Sequence, residues 1–458
     1  MYLRHTTKVQ NNLMKNILII GAGKSSASVI RYLLNKSSEE NLHITIGDID
    51  LENAKNIVNK HLRTAIILLD INNEEQRTEA IQKADIVVSM LPAHFHYTVA
   101  KDCIKYCKHL VTASYISKEM EGLDTKAKEK GLVFMNEIGL DPGIDHMSAM
   151  LTIDRIKKMG GKMKSFTSYT GGLIAAESAD NLWNYKFTWN PRNVVLAGQG
   201  ETAKYIENGS YKNIPYLELF RKTTRLQIPE VGSFEAYPNR DSLKYRSIYG
   251  LENIPTLYRG TLRKIGFSEA WDTFVQLGMT DDSYTIADSE KMSYRSFLDL
   301  FLGGTPFDTV EMKLCAYLKI DQTHVLFKKL TELALFNSNK KTGLKNATPA
   351  QMLQKILEDA WTLKKEEKDM IVMQHLFGYE LNGEKRQIES NLVVLGKNKT
   401  DTAMAKTVGL PVAIAALKIV KGEIKTPGVH RPIAKEIYQP ILKELENYGI
   451  QFIERDHR

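Results

Sequence analysis

Two arginines, Arg240 in PNRDS and Arg263 in RGTLR, sit in turn-like polar stretches and offer planar forks suited to bidentate carboxylate binding. Arg259 shares the second motif. On the residues alone, an ordinary surface or ion-pair role is the commoner case for each. Asp141, between Leu140 and Pro142 in GLDPG (139–143), is a carboxylate of another kind. At the carboxyl end of a strand it could orient a proton-bearing substrate group or take its proton. A turn-stabilising aspartate is the alternative. Such chemistry needs a partner for the hydride or proton. The segment KNILIIGAGKSS (15–26) points to one.

Ile17 to Ile20 form the continuous apolar run of a parallel strand covered on both faces, and Gly21 and Gly23 follow at once. Such a turn lets the backbone approach a pyrophosphate at the N-terminus of the next helix, beside Lys24 and Ser25. Gly23-Lys24-Ser25 imitates the end of a P-loop, but the first glycine of that motif would fall on Leu18. The third glycine of the dinucleotide fingerprint is Ser26, small enough to keep helix and strand close. A second strand, His43 to Gly47, ends at Asp48, with Asp50 two residues on. An acid there accepts ribose hydroxyls and favours NAD over NADP, with NADP left possible; capping of the helix beginning near Leu51 is the alternative for Asp48. No Arg follows directly to hold a 2′-phosphate.

Further strands are expected at Arg63 to Leu69, ending in Asp70, then at Asp85 to Leu91, Leu110 to Ser114 and Leu132 to Asn136. Strands alternating with helical stretches make a doubly wound parallel sheet. Ligands collect beyond the carboxyl ends of such strands, which points to Leu91, Ala113, Ser114, Tyr115 and the GLDPG turn. From about residue 144 the texture changes. Tyr169 to Gln199 suggests an open antiparallel sheet packed on helices, and 268–365 has helical periodicity. Two later strands and a helix from Ala403 to Val420 follow.

The 458 residues exceed one ordinary core and should hold two or three domains. With 43% hydrophobic and 25% charged residues, the chain has the composition of a soluble globular protein. No apolar run is read as approaching the roughly 18 residues of a membrane span. Three cysteines argue against a disulfide framework and suit a reducing, cytoplasmic setting. The net charge of +8 is diffuse, and no basic stripe or nucleic-acid module stands out. His94-x-His96 with Cys103 and Cys107 lacks tetrahedral-site spacing, so no metal is assigned and buried core cysteines are the better account. Residues 1–13 read as a disordered extension or a misplaced start before Met14.

Taken together, ILIIGAGKSSASVIRYL, ADIVVSMLPAHFH, VTASYIS, EIGLDPGIDHMSAM, GGLIAAESADNLWNYKFTWNP, YPNRDSLKY, RGTLR, EEKDMIVM and AMAKTVGLP carry a resemblance over nearly the whole chain. The sequence resembles the glutamate-forming saccharopine dehydrogenases, or saccharopine reductases. The resemblance implies an α/β protein: a Rossmann-type doubly wound parallel sheet over 14–142 and a mixed substrate and dimerisation domain over 143–390. That domain would carry an all-helical insertion at 268–365, and 391–458 would return to the nucleotide domain. It implies oxidation of saccharopine with NAD or NADP to glutamate and 2-aminoadipate 6-semialdehyde, or the reverse, in lysine metabolism, by a homodimer.

Carried over by motif, Leu91, Ala113, Ser114, Leu140, Asp141 and Pro142 would contact the cofactor. They would join Gly21, Gly23, Lys24, Ser25, Asp48, Asp50 and Asp70. Ser114, Tyr115, Asp141, Arg240, Thr261, Leu262 and Arg263 would hold saccharopine, with Asp141 and Tyr115 handling protons. The family's SYCGGLPAPE is here SYTGGLIAAES, so Thr170 replaces its cysteine. A related imine reductase acting on a polyamine such as carboxynorspermidine would want acidic residues where this chain has Arg240 and Arg263. A silent dinucleotide sensor would lose the arginines and Asp141, and all are present.

Overall fold

The computed structural model describes residues 14–58, 61–200 and 202–457; the 1–13 extension lies outside them. The chain divides into two compact units, 1–148 with 405–448, and 149–404 with 449–458. The crossings fall inside two helices, Ile144–Lys158 and Ala403–Val420. They fall at 148/149 and 404/405, beyond the expected 142/143 and 390/391, with a third at 448/449.

The first unit is built on β1 (Lys15–Ile20), β2 (Leu42–Asp48), β3 (Thr64–Leu68), β4 (Ile86–Ser89), β5 (His109–Val111) and β6 (Val133–Met135). A seventh strand, Gly428–His430, joins beside β6 from the returning segment, giving the order 428–430, β6, β5, β4, β1, β2, β3, every pair parallel. Ile17 to Ile20 are at most 1% exposed, as a strand covered on both faces requires. Each such side chain contributes roughly 1.5–3 kcal/mol of burial. Strand order reverses between β1 and β4, the switch point at which doubly wound sheets bind ligands.

The second unit contains β7 (Lys162–Ile174), β8 (Ala203–Glu207), β9 (Ser210–Ile214), β10 (Thr224–Ile228), β11 (Gly232–Pro238), β12 (Thr256–Arg263), β13 (Asp369–Leu381) and β14 (Glu384–Leu395). The main path runs β10, β11, β12, β7, β13, β14 and then Ile453–His457, with β8 on β12 and β9 on β8. This sheet is mixed, because β12 and β7 run parallel while β7 and β13 run antiparallel. The expected antiparallel sheet over Tyr169 to Gln199 is therefore corrected. The strand stops at Ile174, and Pro191–Val195 is a short helix capped by Asn190. Trp183, Tyr185 and Phe187 are not strand residues. They enter an aromatic core with Phe267, Trp271 and Trp361, the Trp183 and Trp361 rings 5.1 Å apart.

Between Phe267 and Trp361 the long elements are helices, as the periodicity predicts. The last, Pro349–Trp361, starts with a Thr348–Gln351 capping box. One expectation about apolar runs fails. Ala403–Val420 is long and apolar enough to cross a membrane by length and composition. Its small residues are packed inside the protein, 78% of it buried, as in a core helix.

Candidate functional site

Gly21 lies at φ +99, and its N–H donates to the Gly47 carbonyl at 2.9 Å. A Cβ there would sit 3.1 Å from the Met90 carbonyl oxygen, so only glycine fits this approach of β1 to the end of β4. A Cβ at Gly23 would meet nothing within 4 Å, leaving bare, exposed backbone beside open space. The helix Ser26–Ser37 has no side-chain cap from Ser25 and no acid in its first turn. Its leading N–H groups fit a pyrophosphate. Lys24 is exposed beside them.

Asp48 does not cap the helix that begins at Leu51. Its Oδ2 accepts the Ala22 N–H and its Oδ1 accepts the Asp50 N–H at 2.7 Å. It braces the glycine turn against the end of β2. The helix start at Leu51 is instead satisfied by Asp50, which accepts from the Glu52 N–H and from Asn53 Nδ2. Asp70 follows β3 and closes a local turn onto Asn72 at 2.9 Å.

Beyond β4, β5 and β6 the first unit gathers polar groups. Leu91 is half-buried against the apolar core. Ala113 and Ser114 follow β5 half-buried, and Tyr115 is 38% exposed. The Tyr115 hydroxyl donates to Asp141 Oδ1 at 3.3 Å. Leu140 and Pro142 on either side of Asp141 are buried, so the carboxylate is the part of this turn that reaches solvent. His96 was singled out by the metal pattern, but hydroxyls occupy both its nitrogens. Ser89 Oγ lies 2.9 Å from Nδ1, and Ser114 Oγ lies 2.8 Å from Nε2 with Thr112 Oγ1 at 3.2 Å. Burial, then the nearby His94, lowers the His96 pKa to about 4, so the ring is neutral near pH 7.

In the second unit, strand alternation sorts β12 into two faces. Tyr258 and Leu262 enter an apolar cluster with Tyr169 and Ala236. Leu262 is fully buried there, so it can offer a ligand only its main chain. Arg259, Thr261 and Arg263 occupy the other face, and Thr170 stands level with Thr261 on β7. Arg263 is 4% exposed, and its guanidinium lies over Tyr185, Phe267 and Tyr237 at 5.1, 5.2 and 5.7 Å. One Nη donates to the Leu262 carbonyl at 2.8 Å, while Nε has no partner. Among the described residues it forms no ion pair. The buried Thr170 hydroxyl is likewise unpartnered. Arg240 is exposed, with φ +26, in the turn after β11, and the Asn239 N–H ties that turn to the Arg259 carbonyl at 2.8 Å.

Two family profiles match consecutive parts of the chain: the saccharopine dehydrogenase NADP binding domain at 17–135 and the saccharopine dehydrogenase C-terminal domain at 139–450. The chain belongs to the saccharopine dehydrogenase family. It is 35% identical to the NADP(+), L-glutamate-forming saccharopine dehydrogenase of Saccharomyces cerevisiae, over 96% of this chain and 99% of that protein. The apo histidine-tagged L-Glu-forming enzyme from that yeast matches in structure with a TM-score of 0.87, 35% identity and coverage of 97% and 100%. The alpha-aminoadipic semialdehyde synthase of Arabidopsis thaliana is 34% identical over 96% of this chain, which spans 44% of that protein. The chain spans about half the length of the mouse mitochondrial synthase too, at 47%.

Within this family member, sequence reasoning missed Glu137 and the partners of His96. Glu137 is buried at φ +53 just past β6 and bonds to the loop that bears Tyr115. Its only sequence signal was a charge beside Asn136 between two apolar stretches, in VFMNEIGL. Ser89 and Thr112 are unremarkable until β4 and β5 place them around one imidazole.

Proposed function

We propose that this chain is an L-glutamate-forming saccharopine dehydrogenase. Saccharopine, NAD(P)+ and water give L-glutamate, 2-aminoadipate 6-semialdehyde, NAD(P)H and a proton. The observation that carries the reading is Arg263, a buried guanidinium caged by three rings, with a free Nε and no carboxylate of its own. A buried cation without a counter-ion is costly, and a substrate carboxylate would offset that cost. A polyamine substrate would add positive charge beside it.

The residues fit a dinucleotide at the glycine turn. Gly21, Gly23, Lys24 and Ser25 would hold its pyrophosphate, and Leu91, Ala113, Leu140 and Pro142 would flank its nicotinamide. The bound cofactor supplies the hydride acceptor. Asp141 carries the proton work: it accepts a proton from the substrate's secondary amine as hydride leaves the carbon, returns it to the imine nitrogen as water adds, and takes the proton that the attacking water gives up. Tyr115, donating to Asp141, holds that carboxylate in register. Ser114 directs its hydroxyl according to the His96 tautomer. Arg263 grips one carboxylate, Thr261 and the Leu262 main chain line the same strand, and Arg240 adds a solvent-facing cation for another.

NAD is the preferred form in this proposal, although the matching profile and the yeast relative both carry NADP in their names. Asp48 and Asp50 place two carboxylates at the end of β2, and residues 49–54 contain no Lys or Arg. A 2′-phosphate would meet repulsion there. The unpaired Cys103, Cys107 and Cys315 support the cytoplasmic proposal. The homodimer rests on the family resemblance and is open to light scattering.

The test is absorbance at the reduced-nicotinamide band with saccharopine plus NAD or NADP, each alone. Saccharopine-dependent reduction is expected, faster per unit affinity with NAD. No reduction with either would overturn the assignment, and equal or better efficiency with NADP would overturn the cofactor choice alone.

A further inference from the structure

Glu137 is a non-glycine residue held at φ +53 while 2% exposed, a combination that costs energy and persists only where its surroundings fix it. Its backbone N–H donates to the Ser114 carbonyl at 3.0 Å, and its Oε1 accepts the Ile116 N–H at 3.0 Å. The two bonds bracket Tyr115. The same Oε1 accepts from Arg431 Nε at 3.0 Å, and Oε2 lies 3.0 Å from His146 Nε2. Neighbouring Asp145, whose Oδ1 accepts the Gly143 N–H at 2.6 Å, closes the turn that carries Asp141.

We propose that Glu137 is a positioning residue that clamps the 114–116 loop so that the Tyr115 hydroxyl meets Asp141. The proposal rests on the dehydrogenase reading, in which Tyr115 and Asp141 do the proton work. One carboxylate joins the loop after β5, the helix Ile144–Lys158 and the segment following Gly428–His430. Arg431 lies 294 residues away in sequence. Burial alone would raise the carboxyl pKa, but the His146 hydrogen bond, the charges of His146 and Arg431, and the Ile116 N–H hold it at about 2. The clamp is therefore ionised throughout the working range. An ionised acceptor makes hydrogen bonds roughly twice as strong as a neutral one.

The test is a double-mutant cycle in turnover. Glu137→Gln keeps the shape and loses the charge, and it should lower kcat about 10-fold or more, with the Kd for the dinucleotide unchanged. In a Tyr115→Phe background the same substitution should cost less than about 2-fold, because the group it positions is gone. If its cost in that background is as large as in the wild type, Glu137 only supports the fold and the proposal is overturned. Should Glu137→Gln not fold, Arg431→Gln at the half-exposed end of the clamp serves in its place, with a smaller kcat loss of about 3-fold that again vanishes beside Tyr115→Phe. A 3-fluorotyrosine at position 115 supplies a readout independent of turnover. Its fluorine resonance should move when the clamp is weakened, and an unmoved resonance overturns the clamp. Wild-type protein that turns over no saccharopine would instead sink the dehydrogenase reading while this resonance still reports on the loop.

Discussion

The two units present their chemistry in different ways. In the first, the candidate groups sit at or just past the ends of parallel strands, and buried or half-buried acids tie the turns there by main-chain N–H bonds: Asp48 to Ala22, Glu137 to Ile116, Asp145 to Gly143. In the second, Arg259, Thr261 and Arg263 stand on one face of a single strand, placed by alternation. A strand buried on both faces has no free side of its own, so a parallel sheet exports function to its ends. In the mixed sheet, β12 gives one face to an apolar cluster and the other to polar side chains. Changes in the first unit should therefore alter rate through turn geometry, and changes in the second should alter affinity through one side chain at a time.

The largest expected effect tests the turns. Asp141→Asn keeps size and turn shape but cannot take a proton, so kcat should fall by about 10²–10⁴-fold with an unchanged melting temperature. Dinucleotide binding should survive. A variant that melts early while its folded fraction turns over normally would reduce Asp141 to a turn residue and remove the first unit's claim to the chemistry.

A pH experiment probes the same unit through stability. The folded state holds His96 near 4 because burial disfavours the imidazolium, whereas the unfolded chain titrates near 6.5. Between those values the unfolded state binds the extra proton, so stability rises with pH there. It is fully present above about 6.5 and lost as pH falls toward 4, by up to roughly 3 kcal/mol. Denaturation of His96→Gln across this window should show a flatter profile. An identical slope in both proteins would mean that His96 is not buried in the neutral form.

The parallel sheet was legible because it is written in continuous apolar runs followed by turns. The read strand His43 to Gly47 falls within β2, and Ala403 to Val420 was read as the helix it is. The arginines of RGTLR were legible as types but not as environment. Nothing local says that Arg263 is buried under Tyr185, which comes from 78 residues earlier and belongs to a segment misread as sheet. Asp48 shows the same limit on a smaller scale. Its position at the strand end could be read, but its bond to Ala22 depends on β1 and β2 lying side by side. Glu137 was invisible because its partners lie at 116, 146 and 431.

Arg263→Met tests the face in the second unit. Methionine fills much of the same volume among the rings and removes a buried, unpaired charge, so the melting temperature should hold or rise. The KM for saccharopine should climb about 30- to 100-fold, in line with a charged hydrogen bond worth roughly 2–3 kcal/mol. Dinucleotide affinity should not move. Arg240→Lys, at the exposed turn, should raise KM only a few-fold by losing the fork. If the exposed arginine proved the more costly of the two, the strand face would not be where carboxylate recognition resides.

The smallest effect concerns the cofactor and returns to Asp48, where two influences can be separated. Asp48→Ala removes a negative charge that would lie near the 2′ position in the proposed dinucleotide site, and it also frees the Ala22 and Asp50 N–H groups that the carboxylate holds. The first change should favour NADP, and the second should loosen the turn for both cofactors. Affinity for NAD should therefore drop, while the NAD-to-NADP ratio of kcat/KM narrows by about 10-fold, or roughly 1.4 kcal/mol. Asp50→Asn is the control. It keeps a side-chain oxygen for the Glu52 N–H and loses the charge and the exposed acceptor for Asn53 Nδ2, so it should narrow the ratio about 2- to 3-fold and leave NAD affinity near its original value. A loss of NAD affinity in Asp48→Ala with an unchanged ratio would make Asp48 purely a brace for the glycine turn, and the choice between dinucleotides would then be made elsewhere in the first unit.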